Sequence, residues 1–167
     1  HEHGDHFQPE TIDLLSKKGT DLVFTKKCAD SYSGEGTVAA NGEKLNLHDI
    51  EIEVVPAYNI EHKRDGGMPF HPKGEGNGYV LTFGDTRIYV AGDTENIPEM
   101  RALKNIDIAF LPMNLPYTMT PEMVANAVEM FKPKILYPYH FGNSNTSELT
   151  ELMKDKDYCE VRIRDLK

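Results

Sequence analysis

The chain is poor in cysteine, in basic side chains and in long apolar runs. Its two cysteines, Cys28 and Cys159, share no metal-ligand spacing. Two lone thiols fit a reducing compartment better than a disulfide framework, so a cytoplasmic location is expected. No apolar run approaches the ~20 residues that cross a bilayer, so no membrane span is expected. Lys and Arg number 18 against 27 Asp and Glu, for a net charge of -9. That balance disfavours a broad nucleic-acid-binding face. It leaves an anionic small-molecule substrate open, because bound metals reverse the sign of a site locally. There is no internal linker, repeat or low-complexity segment. Residues 1–167, with 39% hydrophobic side chains, therefore read as one globular domain.

What the chain does have is alternation and punctuation. Gln8 to Lys18, with Pro9 in its first turn and Gly19 after it, predicts a helix with Ile12, Leu14 and Leu15 on its apolar side. Asp21 to Thr25 predicts a short buried strand. Asn41-Gly42 predicts a hairpin turn between Thr37–Ala40 and Lys44–Leu47. Asp49 to Val55 sets Ile50, Ile52 and Val54 against Glu51 and Glu53, the mark of a half-buried strand. The long polar stretch from Tyr58 to Gly76 reads as a functional or mobile loop. Beyond it come strands at Tyr79–Phe83, Arg87–Ala91, Ile106–Leu111, Lys134–Tyr139 and Glu160–Ile163. Helices are expected at Ile97–Leu103, at Ser147–Met153 and from a Thr120 cap through Pro121 to Phe131. Strands first antiparallel, then alternating with helices, suit an α+β fold of sheets covered by helices.

The chemistry begins at the first residue. His1-Glu2-His3-Gly4-Asp5-His6 places four potential ligands within six positions, Glu2 aside. Imidazoles and carboxylates together suit one or two divalent metals, zinc first, with manganese, iron or nickel also compatible. In an extended segment His1 and His3 point to one side, and Gly4 lets Asp5 and His6 turn toward a second metal. Asp93 follows a strand in Ala91-Gly92-Asp93-Thr94, and His140 follows another in Tyr139-His140-Phe141. Alone, Asp93 reads as a turn former and His140 as a packed loop histidine. Together with the amino-terminal cluster they read as groups converging on one edge of a sheet.

This combination, H-x-H-x-D-H, then Gly-Asp-Thr after a hairpin, then a strand ending in histidine, resembles the metallo-β-lactamase superfamily. The closer resemblance is to its metal-dependent hydrolases of the L-ascorbate-6-phosphate lactonase-like branch. The resemblance implies a metallo-β-lactamase-like αββα sandwich. It implies His1 and His3 on a first metal, Asp5, His6 and His140 on a second, and Asp93 bridging both. It also implies a stretch before this motif with strands beside the histidines, so the chain is expected to lack the family's amino-terminal portion. One family ligand is displaced. A histidine is expected after the middle strand, where Val55-Pro56-Ala57-Tyr58-Asn59 offers tyrosine. His71, from the long loop, reads as the replacement ligand or as a substrate contact. His62 is the weaker candidate, and His48 reads as a surface residue.

The resulting expectation is a hydrolase in which metal-activated water attacks an ester, lactone or phosphoester. Asp5 would orient that water and move its proton. Lys73 reads as an anion contact or as a solvated surface lysine, and Tyr58 and Tyr117 as pocket linings or packed tyrosines. A non-catalytic metal-binding or sensing protein on the same scaffold is the rival reading. Ribonuclease activity, found in some relatives of this fold, is disfavoured by the acidic balance and the lack of room for an inserted domain. An uncovered sheet edge leaves pairing with another chain open.

Overall fold

The computed structural model describes residues 1–167. Chain order is α1 (Pro9–Leu15), β1 (Val23–Phe24), α2 (Lys26–Asp30), β2 (Thr37–Val38), β3 (Lys44–Leu47), β4 (Ile50–Ala57), β5 (Gly76–Phe83) and β6 (Thr86–Val90). A 3-10 turn (Pro98–Ala102) follows, then β7 (Ile108–Pro112), α3 (Pro121–Phe131), β8 (Ile135–Tyr139), α4 (Thr146–Met153) and β9 (Glu160–Val161). Seven strands form one mixed sheet in the order β3-β4-β5-β6-β7-β8-β9. Neighbours from β3 to β6 are antiparallel, and from β6 to β9 they are parallel. The fold is α+β, with the strand-helix alternation confined to the second half, as the sequence predicts.

Strand alternation decides which face is buried. Val80, Tyr89, Ala109 and Leu136 lie side by side across β5 to β8. All four are essentially inaccessible to solvent. Each large apolar side chain so buried contributes about 1.5–3 kcal/mol. Tyr89 meets Phe131 of α3 edge to face, with centroids 5.6 Å apart. Thr120 caps α3 through its hydroxyl, which accepts from Met123 N–H, and Pro121 occupies the first turn. The alternate row, Tyr79, Val90, Phe110 and Tyr137, lies on the opposite face and is only half buried. Phe110 stacks on Tyr137 there, with centroids 5.2 Å apart.

Several elements depart from expectation. The first helix stops at Leu15, and Leu14 and Leu15 are exposed, so the apolar side foreseen for it is not a core face. Only Ile12 packs, against a small cluster of Phe7, Phe24 and Cys28. The hairpin foreseen around Asn41-Gly42 does not form. Thr37 and Val38 pair parallel with Val23 and Phe24 instead. Lys44–Leu47 pairs with β4 through a two-residue turn at His48-Asp49, both with positive φ. Asn41 is drawn away by tertiary acceptors: its Nδ2 donates to Gly76 O (3.1 Å) and Asn77 Oδ1 (2.8 Å). Helix α2, capped by the Thr25 hydroxyl, was not foreseen, and β9 is shorter than the expected Glu160–Ile163.

Candidate metal centre

Four chain segments deliver the seven donor side chains. The first is the amino-terminal turn, in which the N–H groups of His6 and Phe7 both donate to His3 O (2.9 and 2.8 Å). This turn sends His1 and His3 one way and Asp5 and His6 another. Phe7 anchors it edge to face against Phe24, with centroids 6.2 Å apart. The second segment is the turn after β6. Gly92 has φ +67, and a Cβ there would meet Asn77 O at 2.5 Å. Only glycine fits, and the turn aims Asp93 inward. The third is the end of β8, where His140 adopts a left-handed φ of 45, a conformation that histidine tolerates better than most residues. Its N–H donates to Leu166 O (2.7 Å). His71 joins them from the loop between β4 and β5.

The structure brings these groups into two adjoining sets. His1, His3 and His71 form one; Asp5, His6, Asp93 and His140 form the other. Within each set the donor atoms lie within 4.8 Å of one another. Asp93 stands between the sets. Its Oδ2 is 3.4 Å from His71 Nε2, 3.5 Å from His140 Nε2 and 4.0 Å from His1 Nε2, and its Oδ1 is 3.3 Å from His6 Nε2. Ligand atoms held about 2.0–2.1 Å from a tetrahedral zinc stand roughly 3.3 Å apart. The spacing around Asp93 is of that kind. Asp93 Oδ1 is moreover buried without a hydrogen-bond partner. A buried carboxylate oxygen facing imidazole nitrogens at this spacing fits a divalent cation.

The electrostatics follow from burial. Asp93 is 4% exposed. Burial alone would raise its pKa, but His140 and His6 outweigh that and hold it below the ordinary carboxylate range. Burial pushes the His71 ring down to about 4, so it is neutral at physiological pH and free to act as a ligand. His140 is raised, chiefly by its contact with Asp93. Asp5 is the most solvent-open of the carboxylates here, with its Oδ2 3.5 Å from His140 Nε2.

A cleft of about 300 Å³ opens over the site, with Arg64, Phe70, Asn114 and Tyr117 among its walls. Tyr117 thus lines the cleft, packed edge to face on Phe70 (5.0 Å). The other two substrate-contact candidates do not reach it. Lys73 Nζ is tied to Glu99 Oε1 (2.7 Å) and the Tyr58 hydroxyl (3.3 Å). Tyr58 OH in turn donates to Glu99 Oε2 (2.9 Å), and its ring packs in the main core. The carboxylate of Glu99 captures both side chains on a different surface. His71, not Tyr58, therefore stands with His1 and His3. Tyr58→Phe is expected to leave bound metal per chain unchanged, by elemental analysis, while costing about 1 kcal/mol of stability. His62 lies beside Glu95, and His48 pairs with Asp21 (2.7 Å) at the surface. Arg64, Asn59 and Glu95 were not singled out from the sequence. Glu95 gave a local signal, a carboxylate directly after Asp93-Thr94, but Arg64 and Asn59 gave none within a polar loop.

Comparison with known proteins sets this geometry in a class. A family described as "Beta-lactamase superfamily domain" matches residues 1–140, and the chain belongs to that superfamily. Its relatives there are metal-dependent hydrolases. A protein of Koribacter versatilis named "UPF0173 metal-dependent hydrolase" is 31% identical over 171 residues, spanning 96% of this chain and 72% of that protein. One of the same name from Deinococcus radiodurans is 30% identical over 153 residues, spanning 85% of this chain but 63% of its own length. The chain thus spans less than two thirds of that relative. A crystal structure of a metal-dependent hydrolase from Parabacteroides distasonis is 48% identical with a TM-score of 0.93, covering 100% of this chain and 74% of that one. The metallo-β-lactamase fold expected from the sequence is therefore present. These names do not carry the finer lactonase-like branch.

Proposed function

We propose that the chain carries the metal site of a hydrolase acting on an ester, lactone or phosphoester, in the cytoplasm, with zinc as the first choice of metal. The carrying observation is the pair of adjoining donor sets with Asp93 facing both, beside a cleft into which Asp5 is open. Divalent metals held there would make a bound water acidic enough to react near neutral pH and would polarise the scissile bond. The residues supply the rest. His1, His3 and His71 offer three imidazole nitrogens; Asp5, His6 and His140 offer a mixed set; Asp93 stands between them. Asp5 Oδ2, solvent-open and close to His140, is placed to accept a proton from the attacking water and return it to the leaving group. Two buried free thiols, Cys28 and Cys159, support the location.

The substrate reading is a small anion. Arg64 brings a guanidinium to the cleft wall, with its Nη2 3.4 Å from His3 Nε2 and its Cζ over the Phe70 ring, 5.0 Å from the centroid. A planar cation backed by an aromatic ring suits a carboxylate or phosphate. The test is purified protein loaded with Zn²⁺ or Mn²⁺ and assayed on ester, lactone and phosphodiester panels. Asp5→Ala and His140→Asn should each abolish any activity found, and retention of it by either overturns the reading. A chain that takes up no metal at any pH would support the binding or sensing alternative. Arg64→Ala should raise KM for anionic substrates roughly tenfold or more, with little effect on neutral ones.

A further inference from the structure

Beneath His71 lies a buried polar relay that meets the first donor set at the His71 ring and the cleft wall at the Tyr117 backbone. Glu95 is 1% exposed. Its Oε1 accepts from Asn59 Nδ2 (3.0 Å) and His62 N–H (2.7 Å), and its Oε2 from the N–H groups of Ile60 (2.7 Å) and Glu61 (2.8 Å). Asn59 is also buried, and its Nδ2 donates a second time, to Tyr117 O (2.9 Å).

Those contacts allow the Asn59 amide one orientation. Glu95 and the Tyr117 carbonyl can only accept, so the NH₂ end must face them. The Oδ1 end then faces His71, lying 2.8 Å from its backbone N–H and 2.7 Å from its Nδ1. A carbonyl oxygen can only accept, so Nδ1 must carry the ring proton. In a neutral imidazole that leaves Nε2 with its lone pair free. Nε2 is the atom turned toward Asp93, 3.4 Å from Oδ2. The backbone closes the arrangement, since Asn59 N–H donates to His71 O (2.9 Å).

We propose that Glu95, through Asn59, is a positioning device for His71: it fixes both the tautomer and the ring plane, so that Nε2 is presented ready to bind the first metal. This rests on the reading of His71 as a metal ligand. A histidine at the edge of a long loop otherwise has two tautomers and a freely turning ring. The relay spends the hydrogen-bonding capacity of Asn59 on removing that freedom before metal arrives.

The experiment uses ¹⁵N-histidine-labelled chain, stripped of metal, with the ring tautomer of His71 read from two- and three-bond ¹H–¹⁵N correlations at neutral pH. Zn²⁺ is then titrated in and both binding events followed. His71 in the unsubstituted chain should be wholly the Nδ1–H form. Asn59→Leu should populate the Nε2–H form and weaken one of the two zinc events by roughly ten- to a hundredfold. Asn59→Asp, which keeps an acceptor oxygen toward Nδ1, should keep the Nδ1–H tautomer. A relay that only staples the loop would lower the melting temperature in both variants without moving the tautomer in either. An Nε2–H form in the unsubstituted chain overturns the proposal without recourse to any variant. So does a folded Asn59→Leu with the tautomer and both affinities unchanged. Zinc uptake by His71→Ala equal to that of the unsubstituted chain overturns it by another route, through the ligand reading, and the tautomer measurement tells the two failures apart.

Discussion

Asp93→Ala is expected to lose both metal-binding events together and to lower any hydrolytic rate by roughly a thousandfold or more, about 4 kcal/mol of barrier. Asp93 stands between the two sets: its two oxygens face His1, His6, His71 and His140 at 3.3–4.0 Å. The loss should be separable from misfolding. Asp93 Oδ1 makes no hydrogen bond, but its Oδ2 faces His71 and His140, so the metal-free stability of the variant is measured beside its metal uptake. Thermal melting in excess Zn²⁺ and in chelator gives the measurement. Zinc at a hundred times its dissociation constant should add about 2.7 kcal/mol of stability per occupied site to the unsubstituted chain and nothing to the variant. Two equivalents of zinc still bound by Asp93→Ala would remove the bridging role and leave two independent sites.

Glu95→Leu should be the most damaging substitution to the fold among residues that touch no proposed ligand atom. It leaves the N–H groups of Ile60, Glu61 and His62 and the Asn59 amide without their acceptor. Breaking a buried charge network of this sort costs about 3–5 kcal/mol. At roughly 2–4 °C per kcal/mol for a domain of this size, the melting temperature should fall by about 6–20 °C. A fall below about 3 °C would mean that the loop is held by something else. The pH dependence has a definite sign. Burial works against ionisation of Glu95, but the donors from Glu61, Asn59, His62 and Ile60 outweigh it and lower its pKa. Its contribution is therefore complete above the ordinary value of 4.5 and is lost as pH falls through the lowered one. Glu95→Leu should flatten that acid limb as well as lower the plateau.

The strands and α3 were legible because alternation and capping are local. Ile52 and Val54 against Glu51 and Glu53 mark a face, and Thr120-Pro121 marks a helix start, whatever lies around them. Asn41-Gly42 carries the local signal of a hairpin, but distant acceptors on Gly76 and Asn77 override it. The true turn, His48-Asp49, uses two non-glycine residues at positive φ and carries little sequence signature. At the site, the amino-terminal motif, Asp93 and His140 announced themselves by chemistry and strand ends. His71 keeps an open role in the sequence, because a loop histidine acquires one only from what it folds against. Asn59 and Arg64 were illegible for the same reason: one polar residue in a polar loop resembles the next until a carboxylate 36 positions away in the chain engages one of them.

The left-handed backbone at His140 changes how that position can be interrogated. Alanine there would remove the imidazole and also install a residue that resists the conformation by about 1–2 kcal/mol, so two losses would be read as one. Asparagine or glycine accepts the conformation and deletes only the ring. The contrast between alanine and glycine at this single position therefore separates the cost of holding the backbone from the value of what the backbone holds.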